Sequence, residues 1–263
     1  MKIEFYKYQA TGNDFIIIDN RNQDINLTEE NIRFLCHRHF GIGSDGLIIF
    51  GNSDKADFSM QFFNPDGSGG MMCGNGGRSI VKFASDKGVI SDSCSFIAPD
   101  GLHFATINND IISLKMVNPT LLQRFEDGFY INTGTSHFVV FEEDLNKINI
   151  IEKGRSIRYD ERFSHYNGCN VNFVEEISLN NIRIRTYERG VEDETLACGT
   201  GICAAALTYS IKKQLPYGTH TINLSAKGGE LQVRFEKQSD NQFSEVHLIG
   251  EAKMVFKGEI NIT

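Results

Sequence analysis

The sequence contains few features that would interrupt a folded chain or insert it into a membrane. Only four prolines and no tryptophan occur in 263 residues, and no proline-rich or low-complexity linker is present. No segment approaches the ~18 consecutive apolar residues of a membrane-spanning helix, and the initial segment MKIEFYKYQATGND lacks the apolar run of a signal peptide. We therefore expect a cytoplasmic protein with no membrane partner, built as one large domain or two smaller ones.

Basic residues are scarce relative to acidic ones. The 26 lysines and arginines are outnumbered by 34 aspartates and glutamates, which gives a formal net charge of -8. Because nucleic acids attract positively charged surfaces, nucleic acid is not an expected partner. Hydrophobic residues make up 40% of the chain and charged residues 23%, a composition typical of folded soluble proteins.

The sequence also lacks the spacings that bind metals or dinucleotides. Its seven histidines form no ligand pattern, and Cys198 and Cys203 are five residues apart, so we expect no metal. Residues 41–46 match G-x-G-x-x-G, a pattern that binds dinucleotides when it follows a strand and begins a helix. Here it follows a predicted helix at 28–40 and precedes an apolar strand, which indicates a tight turn instead.

One arrangement of elements occurs twice. A Thr-Gly turn at 11–12 leads into an apolar run, and further on a strand and a turn lead to Cys73-Gly-Asn-Gly and an apolar helix. The same order runs from a Thr-Gly turn at 133–134 to Cys198-Gly-Thr-Gly and a second apolar helix. The pattern predicts two similar α/β domains, residues 1–119 and 120–263, with a return of the chain to the first domain at its end left open. Each domain would wrap a mostly antiparallel set of strands around its central helix.

Two of the six cysteines lie in the repeated motif. Cys73 and Cys198 each precede a helix, where unpaired N–H groups and the helix dipole lower the pKa of a thiol and attract anions. Either cysteine alone fits a structural role as well as a reactive one, but two at equivalent positions favour a reactive pair. The remaining cysteines lie in mixed or apolar stretches and are expected to be buried thiols without chemistry: Cys36, Cys94, Cys169 and Cys203.

Two domains facing each other about a pseudo-twofold axis would bring both thiols into one cleft. A thiolate on one side of an α-carbon could then remove a proton while a thiol on the other side delivers one. The N–H groups at the helix starts would stabilise the charge on the carboxylate; they belong to Gly74, Asn75, Gly199 and Thr200. This chemistry is racemisation or epimerisation of an α-amino acid, and it needs no cofactor.

The segments ATGNDFIIID, FNPDG, MCGNGGR, YERG and ACGTGICAAA follow one another across nearly the whole chain. In this order they resemble the diaminopimelate epimerases, which are cofactor-independent epimerases that use two cysteines. The resemblance implies two pseudo-symmetric α/β domains and often a homodimer. It also implies interconversion of L,L- and meso-diaminopimelate, on the way to lysine and peptidoglycan.

Matched position by position, the resemblance makes Cys73 and Cys198 the acid and base, with the four N–H groups as the carboxylate cradle. His137 and Glu188 match two polar residues that tune the thiols. The residues that match substrate contacts are Asn13, Asn64, Asn170, Glu188 and Arg189. Without the resemblance, the asparagines would be interpreted as turn formers and the charged pair as a solvated strand end. An adjacent anion and cation nevertheless suit the zwitterionic far end of diaminopimelate.

Two positions depart from the family pattern. Many relatives have glutamine at the position of Gly46, and Asn-Pro-His where this chain has Thr135-Ser136-His137. Thr135 lacks the paired donor and acceptor of an amide. A racemase of the proline or histidine type, and an inactive relative that keeps the fold for binding, are therefore the alternatives. The Glu188-Arg189 pair favours the longer substrate, and the two complete Cys-Gly-x-Gly motifs favour an enzyme.

Overall fold

The structure is a computed structural model that describes residues 1–70 and 72–262. Its contacts divide the chain into two compact units. Unit 1 comprises residues up to Leu114 and those from Gly250 onward, and unit 2 comprises Lys115–Ile249. The predicted α/β fold class, rich in strands and with few helices, is confirmed.

The first half of the chain carries the elements of unit 1 apart from its last strand. In chain order they are β1 (Lys2–Ala10), β2 (Asn13–Asp19), α1 (Glu29–Cys36), β3 (Gly46–Gly51), β4 (Phe58–Phe63), α2 (Gly74–Asp86), β5 (Ser93–Ala98), β6 (Gly101–Asn108) and β7 (Ile111–Lys115).

The elements of unit 2 follow, and the chain then ends on a strand of unit 1. They are β8 (Thr120–Phe125), β9 (Gly128–Asn132), β10 (Ser136–Glu142), α3 (Ile150–Arg158), β11 (Asn170–Ser178), β12 (Asn181–Glu188), β13 (Asp193–Thr195), α4 (Gly199–Lys212), β14 (Gly218–Ala226), β15 (Gly229–Ser239), β16 (Gln242–Glu251) and β17 (Lys253–Asn261). Short 3-10 helices cover Leu145–Lys147 and Glu161–Tyr166.

Strand pairing repeats between the two units. In unit 1, β1 is antiparallel to β17 and β2, β2 is parallel to β3, β3 is antiparallel to β4, and β4 is parallel to β5, which begins an antiparallel run to β7. In unit 2, the strands β8 to β12 and β14 to β16 pair in the same order of antiparallel and parallel contacts. The internal duplication predicted from the motifs is therefore present in the hydrogen-bonded architecture.

Each unit surrounds one helix with strands. α2 contacts β1, β2, β3 and β6, and α4 contacts strands from β9 to β15. Every residue of α4 from Ile202 to Ile211 is buried, as expected of a helix that is apolar on all sides. This burial fixes the helix axes, and with them the positions of the residues at the helix starts. Within the described residues, no helix is long and apolar enough to span a bilayer.

The helix predicted at 28–40 is correct at its start and wrong at its end. Thr28 is the N-cap and forms a capping box with Asn31, but the helix ends at Cys36. The chain turns back there, because the N–H groups of residues 42–44 donate to the carbonyls of Leu35 and Cys36. Gly41 permits the approach, since a Cβ would lie 1.9 Å from the Phe34 carbonyl oxygen. The tight turn predicted at 41–46 is confirmed.

Candidate active site

Cys73 and Cys198 are the N-cap residues of α2 and α4. Both have extended backbone and are half-buried. The first helical hydrogen bonds are donated by Gly77 to the Cys73 carbonyl at 2.7 Å and by Ile202 to the Cys198 carbonyl at 2.9 Å. The N–H groups of residues 74–76 and 199–201 therefore make no hydrogen bond within the helices themselves. No acidic residue lies in either first turn to neutralise the positive helix end.

The other cysteines have a different environment. All four are buried: Cys36, Cys94, Cys169 and Cys203. Burial raises the pKa of Cys94 and of Cys169 to about 12, and it also raises the pKa of Cys36. Because the thiolate is the reactive form, these raised pKa values disfavour reaction of the three thiols. The predicted burial of all four cysteines is confirmed.

In unit 1, an amide network surrounds the thiol of Cys73. The Oδ1 atom of Asn13 lies 3.8 Å from the Cys73 sulfur and accepts a hydrogen bond from Asn75 Nδ2 at 3.2 Å. The Oδ1 atom of Asn75 in turn accepts from Arg78 Nη2 at 2.9 Å, and the same guanidinium nitrogen donates to Thr11 Oγ1 at 2.6 Å. The structure thus brings Asn13 and Asn75 to Cys73 and fixes both amides.

A charged cluster holds Asn13 from behind. Asn13 Nδ2 donates to Asp45 at 2.8 Å, and Arg38 pairs with Asp45 at 2.6 Å and with Asp14 at 3.0 Å. Lys7, which is buried, pairs with Asp14 at 2.6 Å. Burial acts to raise the pKa of Asp14, but hydrogen bonds from Lys7 and Arg38 outweigh it, so that pKa is lowered. The cluster ties the start of β2 to the loop before β3.

In unit 2, the hydroxyl of Thr200 lies beside the thiol of Cys198. Its sulfur lies 3.5 Å from Thr200 Oγ1. That oxygen is 2.9 Å from His137 Nε2 and 3.0 Å from Thr135 Oγ1. Thr133 Oγ1 donates to the Thr200 carbonyl at 2.9 Å, which fixes the first turn of α4. His137, Thr200 and Cys198 therefore form one connected group.

His137 is buried and neutral. Burial, assisted by the positive charge of Arg189, lowers the pKa of His137 to about 3. Its Nδ1 atom lies 3.0 Å from Asn172 Nδ2, and Asn172 Oδ1 accepts from Thr186 Oγ1 at 3.0 Å. Gly201 permits this packing, because a Cβ there would lie 2.4 Å from Asn172 Oδ1.

Asn170 and Arg189 extend the group in unit 2. Asn170 Nδ2 donates to Thr135 Oγ1 at 3.4 Å, and its Oδ1 accepts from the Arg189 backbone N–H at 2.8 Å. The Arg189 guanidinium donates to the carbonyls of Tyr166 and Gly168, each at 3.2 Å. These contacts orient the residue directly after β12.

Glu188 lies at the end of a strand, and Asn64 lies in the turn that follows another strand. Glu188 is the last residue of β12 and pairs with Asp193 of β13. Asn64 follows β4, and its amide nitrogen donates to Ser68 Oγ at 3.0 Å within the turn. The described hydrogen bonds of Asn64 are local to this turn and do not join it to Cys73.

The departure at Gly46 has a steric explanation. A Cβ at this position would lie 2.8 Å from Cε2 and 2.9 Å from Cζ of Phe62, whose ring is buried. Phe62 also lies against Gly70, where a Cβ would be 2.4 Å from its Cδ1 atom. The ring thus takes the space into which a glutamine at residue 46 would extend.

The thiols of Cys73 and Cys198 lie at the two helix starts and can carry a proton between the thiol and thiolate forms. Residues 1–70 and 72–262 contain no group of three or more His, Cys, Asp and Glu side chains that could hold a metal ion.

Three residues of this hydrogen-bonded arrangement were not identified by the sequence analysis: Asp45, Asn172 and Thr186. A signal existed for Asn172, because polar residues at alternate positions of the otherwise apolar run NVNFV mark a buried polar face.

Comparison with solved structures defines the fold. A PhzF-family phenazine biosynthesis protein from Bacillus anthracis matches with a TM-score of 0.79 and 16% identity over the whole of both chains. A probable proline racemase from Agrobacterium radiobacter K84 matches with a TM-score of 0.71 and 13% identity, covering 99% of this chain and 93% of that one. The chain thus has the two-domain fold shared by these proteins.

Sequence comparison identifies the family within this class. The family model for diaminopimelate epimerase matches residues 5–121 and 129–255. The diaminopimelate epimerase of Flavobacterium psychrophilum is 44% identical over 262 residues, which cover 98% of this chain and all of that protein. The chain belongs to the diaminopimelate epimerase family and is an isomerase.

Equivalent glycines in the two motifs should respond differently to alanine. Gly76→Ala adds a methyl group at 3.4 Å from Met60 Cε, an ordinary contact, so the gain in helix propensity should stabilise the protein by up to about 1 kcal/mol. Gly201→Ala forces a methyl group onto the buried Asn172 amide and should destabilise it by about 1–3 kcal/mol. Urea unfolding of both variants measures the difference. Equal effects of the two substitutions would contradict the packing described for Gly201.

Proposed function

We propose that this chain interconverts L,L- and meso-diaminopimelate by proton transfer at one α-carbon, in the synthesis of lysine and peptidoglycan precursors. The observation that carries the proposal is the pair of cysteines at the N-caps of two equivalent buried helices. Membership of the diaminopimelate epimerase family supports the choice of substrate. The cell compartment proposed for this reaction is the cytoplasm.

In the proposed reaction, Cys73 and Cys198 act on opposite faces of the α-carbon. One enters as a thiolate and takes the α-proton, while the other enters as a thiol and donates its proton. The pair exchanges roles when the direction reverses. The carboxylate of the substrate lies at the helix starts, where N–H groups stabilise the charge that develops as the proton leaves; these groups belong to Gly74, Asn75, Gly199 and Thr200. All the chemistry is supplied by protein groups.

Polar side chains around the thiols hold the substrate in this proposal. Asn13 is oriented by Asp45 beside Cys73, and Asn170 is oriented by the Arg189 backbone. The far amino-acid head carries both charges, so Glu188 suits its ammonium group and Arg189 its carboxylate. The remaining proposed substrate contact is Asn64, and the proposed tuning residues are His137 and Glu188.

Isotope exchange tests the substrate directly. We expect the purified protein in heavy water to incorporate deuterium at the α-carbon of L,L-diaminopimelate and to form the meso isomer, as followed by NMR. Proline and histidine, incubated separately, should remain unlabelled. Exchange into proline or histidine alone would support a racemase of that type. Exchange into none of the three would support an inactive binding protein.

Serine variants test the two-base mechanism. Cys73→Ser and Cys198→Ser each replace a thiol by a far weaker acid, so epimerisation should fall by about 10²- to 10⁴-fold. A substrate analogue with a leaving group next to the α-carbon needs only one base, because elimination requires no second proton. Each variant should therefore retain elimination from one configuration of the analogue only, and the two variants should retain opposite ones.

The matched control is Cys94→Ala, which removes a buried thiol whose pKa is raised to about 12 by burial. It should retain elimination from both configurations. Equal loss of both configurations in the two serine variants would show that the cysteines act as one unit or only shape the pocket.

A homodimer is part of the proposal because β17 is exposed. Met254, Val255 and Phe256 are consecutive strand residues with 49%, 57% and 45% of their surface exposed. The three side chains form an exposed apolar surface on this strand. A second copy of the chain is the proposed cover.

We expect light scattering to give twice the mass of one chain. The double variant Met254→Lys with Phe256→Lys should reduce the measured mass to that of a single chain. A single-chain mass for the unaltered protein would refute the dimer.

A further inference from the structure

Asn172 occupies a position in unit 2 that no proposed catalytic role uses. Its side chain is fully buried on β11 and directly opposite Thr186 of β12. The amide nitrogen lies 3.0 Å from His137 Nδ1 and 3.4 Å from the Phe138 carbonyl oxygen. The amide oxygen accepts a hydrogen bond from Thr186. Three different polar groups therefore fix one amide.

These contacts determine which way the Asn172 amide points. A carbonyl oxygen only accepts hydrogen bonds, so the NH₂ group must face Phe138. The same NH₂ group then donates to His137 Nδ1. A ring nitrogen that accepts a hydrogen bond carries no proton, and the buried imidazole is neutral. The proton of His137 is consequently on Nε2.

The proton on Nε2 sets the direction of the hydrogen bonds that lead to Cys198. His137 Nε2 lies 2.9 Å from the hydroxyl oxygens of both Thr135 and Thr200. Because Nε2 donates, neither hydroxyl can donate a hydrogen bond to this ring nitrogen. Thr135 can donate to Thr200 at 3.0 Å, which leaves the Thr200 hydroxyl proton for the Cys198 sulfur at 3.5 Å.

We propose that Asn172 is a positioning residue that keeps the proton of His137 on Nε2 and thereby makes the Thr200 hydroxyl a donor to the Cys198 sulfur. A hydrogen bond to the charged form of a group favours that form, so this chain of donors stabilises the Cys198 thiolate. With the proton on Nδ1 instead, Nε2 would accept from Thr200 and compete with the sulfur for its proton. The catalytic meaning of this role rests on the proposed epimerase function.

The first test determines the His137 tautomer in the unaltered protein. In protein labelled with ¹⁵N-histidine, NMR couplings show which ring nitrogen of His137 bears the proton, and the spectrum of His137→Gln assigns its signals among the seven histidines. We expect a neutral imidazole protonated at Nε2. A proton on Nδ1 would overturn the proposal.

The second test inverts the tautomer. Asn172→Asp is nearly isosteric, and its carboxylate accepts from Nδ1–H, so at pH 8 the proton of His137 should move to Nδ1. Alkylation of Cys198 by iodoacetamide should slow about three- to tenfold as its thiolate loses a hydrogen bond. Alkylation of Cys73, measured by mass spectrometry on the same sample, should change less than about twofold. An inverted tautomer with an unchanged Cys198 rate would overturn the proposal.

Two further variants separate positioning from general destabilisation. Thr200→Val should slow Cys198 alkylation as much as Asn172→Asp while leaving the His137 tautomer unchanged, and combining both should add nothing. Thr186→Val removes the other partner of the Asn172 amide but leaves its NH₂ group, so the tautomer should persist. If Asn172→Asp does not fold, the tautomer of the unaltered protein and the rate in Thr200→Val still decide. These readouts use no substrate, so a failure to epimerise diaminopimelate would refute the proposed function alone.

Discussion

The burial of two helices, α2 and α4, is the constraint on which the site depends. α2 and α4 lie among the strands of their units, with α4 buried on all sides from Ile202 to Ile211. A helix held in this way cannot tilt or slide without opening the core. Its first turn is therefore fixed, and so is the N-cap cysteine. The positive end of each helix dipole becomes a permanent feature of the thiol's surroundings, requiring no charged side chain.

The duplicated backbone carries two different polar environments. Beside Cys73, ion pairs among Lys7, Asp14, Arg38 and Asp45 hold an amide that faces the sulfur. Beside Cys198, the hydroxyl of Thr200 contacts both the sulfur and His137, which burial keeps uncharged. A thiolate next to a hydroxyl donor and a thiol next to an amide oxygen differ in which protonation state is favoured. In the mechanism proposed above, this asymmetry favours the base form at Cys198, even though the strand pairing of the two units matches.

Local patterns in the sequence determine the elements that were predicted correctly. The starts of α2 and α4 follow from glycine next to an apolar periodic run, and the Thr28 N-cap follows from its capping box. The predicted end of α1 was wrong because residues 42–44 fold back onto the helix, and no local sequence signal encodes this contact. The contact between Asn172 and His137 was missed for a related reason. The parallel register of β10 and β11 brings Asn172 to His137 from 35 positions away, and a single sequence does not reveal strand register.

The two departures from the family pattern have different physical consequences. Gly46 is compensated locally, because the ring of Phe62 takes the space that a longer side chain would need. Thr135 is not compensated in this way, since its hydroxyl accepts from Asn170 and lies beside both His137 and Thr200. A hydroxyl with these partners has one proton, which Thr135 donates to Thr200 under the His137 tautomer proposed above. Thr135 thus belongs to the hydrogen-bonded group that leads to Cys198, whereas an amide at this position would have a second donor for a separate contact.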